Sequence, residues 1–419
     1  MSFLLDRVIH VVLAPVVRTW ASIVNDGLAG VPFPLDSPSV HAPGPSSDRV
    51  LLLGSGPAVG RGVSSHDLAL PGALARALTA RTRRGTDVNV ISDSSLNIRN
   101  ASNRLEEARL CRYDAIVLTL GANDALSFTS IRMWTHRLTE LLADIEALAP
   151  KLHVFVAGIQ PIRSIPGFDS ALGGIADHQA ELLNRASSEL CAMKAHVTFI
   201  PLMALPKLSD ERHRSPEGYA QWGRTLAEGI APVLDSDLLV VSDSHVPEWP
   251  THTGSSIARQ CAVEDLTLGE DGMNQRLDHI VGVARRAFGT QIALFSVLDN
   301  DRQQHIARAG TSVTAIPLAD SVCNIAIGYR HGLMIPDARQ DPRFSDNPFV
   351  RGGLNFYAGY PVESPRGERI GTLCIFDTEP RAAEDVDLSL LREMALRIQR
   401  ELWPPGNADA SLREGHVPR

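Results

Sequence analysis

The 419-residue chain predicts two folded units of different class: an α/β unit on a parallel sheet, then a smaller α+β unit on an antiparallel sheet. Two observations carry this. Between residues 49 and 235, apolar runs of strand length alternate with amphipathic stretches of helix length, the pattern of a parallel sheet covered on both faces. From 257 to 403, strand-like runs follow one another across tight polar turns with helical runs at both ends, the pattern of an antiparallel sheet backed by helices. The length agrees, since a domain takes ~150 residues. A hydrophobic content of 44% is enough for packed cores.

Taken in order, residues 1–48 precede the first unit. The N-terminal stretch reads as an amphipathic helix, with Asp6, Arg7, His10, Arg18, Ser22 and Asn25 on one arc, Leu5, Val8, Val12, Val16 and Ile23 mostly opposite, and a kink at Pro15. Charges interrupt every apolar run long enough to span a bilayer, and no basic segment precedes the apolar stretch. The polar arc is not lysine-rich, so the helix is expected to pack on its own domain or a partner subunit rather than lie in a membrane interface. Residues 31–48, rich in Pro and Ser, read as an extended linker. Strands are expected at Arg49–Leu53, Val88–Ile91, Ala115–Leu120, His153–Ala157 and Val197–Leu202. Helices are expected at His66–Arg83, Asn103–Leu110, Thr129–Leu148, Asp177–Met193 and Pro216–Leu234.

Residues 236–256 contain prolines and a glycine that discourage regular structure, and read as a linker. The second unit, 257–403, predicts helices near Ser256–Asp265 and Met273–Phe288. Strands follow in "QIALFSVLD", "RQQHIARAG", "GLMIPDA", "NFYAGYPVES" and "RIGTLCIFDT", with a short helix in "LADSVCNIAI" and a final amphipathic helix from Glu384 to about Leu402. That last helix carries more apolar side chains than one narrow stripe requires, which predicts self-association through the helices at 273–288 and 384–402. Residues 404–419 read as a disordered tail.

The net charge of −8 argues against bulk nucleic-acid binding. The five cysteines are far apart and form no C-x-x-C pair, so no metal site or redox motif is legible. A sparse, odd set fits a reducing cytoplasm better than a disulfide framework.

Three segments of the first unit belong together: "GSGPAVG" at 54–60, "LGAND" at 120–124 and "DERHRSPEGY" at 210–219. Over about residues 49–235 the chain resembles the SGNH/GDSL hydrolase family, which implies a flavodoxin-like α/β/α sandwich and a serine nucleophile that attacks an ester or thioester. By this resemblance Asn123 matches the oxyanion-binding asparagine, and Asp210 and His213 match the pair that activates the serine. The nucleophile position, however, falls on Gly56, and the second-block glycine is replaced near Asp93 and Ser94 in "ISDSSLN". Ser55 is one residue early. Side chains alternate at a strand end, so its hydroxyl is expected to face roughly the opposite way.

Residues from about 259 to 402 resemble a GAF domain, a small-molecule-binding or protein-docking module common in bacterial signalling. "DSVCNIAI" at 320–327, "LMIPDARQDPRFSDNPFV" at 333–350, "FYAGYPV" at 356–362 and "RIGTLCIFDTEPR" at 369–381 carry the likeness. Cys323, Asp337, Arg339, Phe344 and Tyr357 are candidate walls of a ligand pocket; the competing reading is an ion-paired loop and a buried apolar cysteine. The ligand is not implied, and no cofactor is legible.

These readings lead to a cytoplasmic ligand-binding and regulatory protein whose hydrolase-like cleft, including Gly56, holds a small molecule without the usual nucleophile. The alternatives are an active esterase using Ser55 or another serine under GAF control, and a scaffold in which both folds are interaction surfaces.

Overall fold

Apolar residues on both faces of short strands build the first sheet. In β2 (Asp48–Gly54), Val50 and Leu52 face one side and Leu51 and Leu53 the other, and all four are fully buried. The computed structural model describes residues 14–27, 30–105, 108–204, 214–242, 253–266 and 272–403. The chain divides into two units, Met1–Ser244 and His245–Arg419.

In the first unit, β1 (Ser39–Ala42), β2, β3 (Thr86–Ser92), β4 (Ala115–Thr119), β5 (His153–Ala157) and β6 (Val197–Ile200) form one sheet in the order β1-β3-β2-β4-β5-β6. All pairings are parallel except that of β1 with β3. Without its antiparallel edge strand this is the doubly wound order of a flavodoxin-like fold. One face is covered by α1 (Ala14–Gly27), α4 (Ile131–Leu148) and α5 (Ala171–Cys191), which pack Val17, Trp134, Leu141 and Leu183 around Leu51, Leu53 and Leu118. The other face is covered by α2 (Leu70–Thr82) and α6 (Pro216–Ser242), which pack Leu74, Leu78, Trp222 and Ile230 around Val50, Leu52 and Val117. Between β4 and α4 lies a one-turn helix, α3 (Ala122–Leu126).

Several expectations need correction. The segment 31–48 is not only a linker: Ser39–Ala42 pairs antiparallel with β3, satisfying an edge that would otherwise present unpaired N–H and C=O groups. Around Asn103–Leu110 there is no regular α-helix among the described residues, only 3₁₀ turns at Ser102–Arg104 and Leu110–Arg112. Helix α6 runs on to Ser242 with Pro232 inside it, and α7 spans Thr253–Glu264, so both ends of the expected 236–256 linker are helical. The expected N-terminal helix is described from Ala14, where Ala14, Val17 and Ala21 join the core of its own unit. Residues 1–13 and the tail 404–419 lie outside the described residues. No described helix is long and apolar enough to cross a membrane.

The second unit is an antiparallel six-stranded sheet in the order β10-β11-β12-β7-β8-β9. Its strands are β7 (Ile292–Asp299), β8 (Arg302–Ala309), β9 (Ala315–Pro317), β10 (Leu333–Ile335), β11 (Phe356–Glu363) and β12 (Arg369–Asp377). Helices α8 (Met273–Phe288) and α11 (Leu388–Leu402) cover one face, packing Leu277, Val281, Leu391, Ala395 and Ile398 against Phe295, Ala358 and Ile375. The apolar residues from which self-association was expected are therefore largely used inside the unit; Leu390 is the one on α11 that stays exposed, at 37%. The opposite face is covered by α9 (Val322–Ala326), α10 (Pro348–Arg351) and the loop between them.

Candidate functional site

The strand order reverses beside β2: the chain passes from β2 outward to β3, then crosses to β4 on the other side. A crevice opens there outside the carboxyl ends of the strands, the usual place for a ligand in such sheets. It is a cleft of about 510 Å³, lined by Gly56 and Arg61 after β2, Ser94, Ser95 and Asn97 after β3, Asn123 after β4, and by Arg18, Phe168 and Arg214.

The turn after β2 is fixed by close packing. Gly54 has φ +152°, and a Cβ there would lie 2.2 Å from the Thr119 carbonyl oxygen. The Ser55 amide donates to that same oxygen at 2.9 Å. Gly56 takes φ +58°, and a Cβ built on it meets nothing within 4 Å. The nucleophile position thus faces open space in the cleft and carries no hydroxyl.

Ser55, one residue earlier, is placed differently. The residue is 1% exposed, and its Oγ has no hydrogen-bond partner. It lines a separate cavity of about 20 Å³ with Thr119 and Gln160, whose side-chain polar atoms also lack partners. The alternation at the strand end has turned the hydroxyl away from the cleft, as the spacing predicts.

Asn123 is at the cleft, but its donors are engaged. Its Nδ2 donates to the Ser94 carbonyl at 2.8 Å and the Leu96 carbonyl at 2.7 Å. Only the NH₂ side of the amide can face two carbonyl acceptors, so neither N–H is left for an oxyanion. Next to it, Asp124 is structural: its carboxylate accepts from the Ile98 amide at 3.1 Å and the Thr129 hydroxyl at 3.0 Å. Burial pushes its pKa up to about 6 against those hydrogen bonds. At the replaced second block, Asp93 accepts from the Ser95 amide and hydroxyl, both at 2.8 Å, which hold it below its usual range.

Asp210 and His213 lie outside the described residues. Arg214, immediately after them, was not singled out in the sequence. Its guanidinium stacks 4.7 Å from the Trp222 ring, and its Nη1 is shut off from solvent with no acceptor among the described residues. Burial pulls its pKa down, with Tyr219 acting the other way. Arg61, directly after the first block, and Arg18 on α1 were likewise missed as cleft residues; their adjacency to the motifs is a signal only once the fold has brought the blocks together.

In the second unit, the candidate pocket walls divide into two groups. Cys323, Phe344 and Tyr357 are fully buried, in one apolar cluster with Leu294, Ile335 and Val350. The Cys323 and Cys374 sulfurs are 3.4 Å apart, and the Tyr357 hydroxyl is 3.6 Å from Cys323 Sγ. Asp337 and Arg339 instead bind each other, Arg339 donating through Nε at 2.9 Å and Nη2 at 2.8 Å. That pairing, with Gln340 adding to it, holds the Asp337 carboxyl well below the usual range. Asp341 and Arg343 repeat the arrangement four residues on. The geometry matches the ion-paired loop and the buried cysteine rather than five walls of one pocket. The described residues hold no group of three or more His, Cys, Asp or Glu suited to a metal ion.

Comparison with known proteins agrees with both folds. Residues 53–230 match the model of the GDSL-like Lipase/Acylhydrolase family, and residues 272–402 match that of the GAF domain. The chain carries a GDSL-like hydrolase domain followed by a GAF domain. Among solved structures, a protein of Agrobacterium tumefaciens described as a putative arylesterase is 21% identical, over 44% of this chain and 99% of that one, with TM-score 0.36. The GAF domain of an Acinetobacter phosphoenolpyruvate-protein phosphotransferase is 16% identical, over 39% of this chain and 99% of that one, with TM-score 0.27. A cyclic di-GMP phosphodiesterase of Pseudomonas aeruginosa is 37% identical over 156 residues, 36% of this chain. The match spans 27% of that protein's length.

Proposed function

We propose that the GDSL-like unit binds a small molecule in its strand-end cleft without hydrolysing it, and that the GAF unit makes the chain a regulatory, ligand-sensing protein. The observation that carries this reading is Gly56: the nucleophile position opens on the cleft and has no side chain. The engaged Asn123 amide and the inward-turned Ser55 support it, since the hydroxyl and a donor for the developing oxyanion are both absent from their expected places. Five unpaired cysteines fit a reducing, cytoplasmic setting. The phosphodiesterase activity named for the Pseudomonas relative is not carried over, because so little of that protein is matched.

A fluorophosphonate probe, which labels activated serines, tests the reading on the full chain. The expected result is no labelling above that of the heat-denatured protein. Labelling that disappears in Ser55→Ala would establish the alternative, an active serine esterase.

A further inference from the structure

We infer that the strand-end cleft takes a small anionic molecule, whose carboxylate or phosphate group meets Arg18, Arg61 and Arg214 while an attached apolar portion lies against Leu126, Ile165 and Phe168. The inference rests on the reading of the cleft as a binding site.

Charge is the first argument. The chain carries a net −8, yet the described lining of this one cleft holds three arginines and no carboxylate. Among the described residues, the carboxylates on the loops after β3 and β4 are engaged elsewhere, Asp93 with Ser95 and Arg104, Asp124 with Ile98 and Thr129. Neither neutralises Arg18 or Arg214.

Satisfaction is the second argument. Arg214 keeps an Nη1 that is out of solvent and has no acceptor among the described residues; its neighbours are the Trp222 ring, which offers only a cation–π contact, and the Tyr219 hydroxyl. A cationic donor held this way is costly to the folded state, and an oxyanion is the partner that relieves the cost. Arg18 is pinned by donating through Nε at 3.0 Å and Nη2 at 2.5 Å to the Ser127 carbonyl, which leaves further N–H groups of its fork at the cleft. Guanidinium forks match carboxylate and phosphate geometry equally well.

Shape is the third argument. A cleft of about 510 Å³ falls in the range of small-molecule sites, and its lining combines polar side chains with apolar ones. Phe168, Ile165 and Leu126 belong to the apolar part, which a bare inorganic anion would leave unused.

The test uses isothermal titration calorimetry on the full chain with three probes of equal length: hexyl phosphate, hexanoate and neutral hexanol. At least one anion should bind, with hexanol weaker by about tenfold or more, and the stronger anion identifies the head group. Arg214→Gln should weaken that binding by about tenfold and Arg18→Gln by several-fold. Because Arg214 packs on Trp222 and its variant can lose the fold, the exposed Arg18 keeps the test decisive. The inference is overturned if hexanol binds as well as both anions, if neither anion binds at millimolar concentration, or if Arg18→Gln binds like the wild type. Hydrolysis of a hexanoate ester would remove the non-catalytic reading and leave the anion preference standing, so the two failures are distinguishable.

Discussion

Gly56 has room for a side chain but a backbone that resists one, since φ +58° costs an ordinary residue about 1–2 kcal/mol. Gly56→Ser is therefore expected to fold, to lose about that much stability in urea unfolding, and to remain a poor hydrolase because Asn123 gives both N–H groups to Ser94 and Leu96. Robust ester turnover by this variant would show that the Asn123 bonds are no obstacle. Asp124 makes a different prediction. Its folded pKa is raised from 3.8 to about 6, so the protonated form is the one the fold favours. Its contribution is fully present below pH 4 and is lost as pH rises through 6. The loss is on the order of 3 kcal/mol, at 1.36 kcal/mol per pK unit. Asp124→Asn removes this dependence at the cost of one acceptor. Unfolding free energies measured between pH 4 and 7 should show the wild type losing ground against the variant as pH rises, and parallel curves would refute the assignment.

At the level of elements, apolar runs of strand length were the legible signal. Leu51 and Leu53 on one face of β2 and Val50 and Leu52 on the other make one such run, and similar runs placed β4, β5, β7, β11 and β12 close to their observed bounds. Pairing that depends on distant partners was not legible. Ser39–Ala42 looks like linker because its only reason to be a strand is the free edge of β3. The candidate site divides the same way: the motif spacings located Gly56 and Asn123, whereas the direction of the Ser55 hydroxyl was a geometric inference and the arginines of the cleft come from segments far apart in sequence. In the second unit the short helix α9 and strand β12 bury Cys323 and Cys374 side by side; in the first unit α5 buries Cys191, and across the chain Cys111 and Cys261 are exposed. Titration of the native protein with an aromatic disulfide reagent should modify Cys111 and Cys261 quickly and the other three only on unfolding. Fast native modification of Cys323 would mean that this face of the GAF sheet opens to a ligand-sized reagent.

For the molecule as a whole, a GDSL-like hydrolase fold and a GAF fold occur in one chain, and the first presents a cleft at the carboxyl ends of its strands. The sheet, the crevice at the reversal of strand order and the closely packed turn at Gly54 persist because they are requirements of packing. A nucleophile is not such a requirement, and on the proposed reading its absence removes on the order of 10⁶ in turnover where a complete triad is the reference. Ser55→Ala serves as the control, since deleting a buried hydroxyl that has no partner should leave the fold intact. The most direct measurement is steady-state hydrolysis of p-nitrophenyl butyrate by the full chain beside Ser55→Ala. The account predicts that both proteins match the uncatalysed rate; turnover by the wild type that vanishes in Ser55→Ala would contradict it.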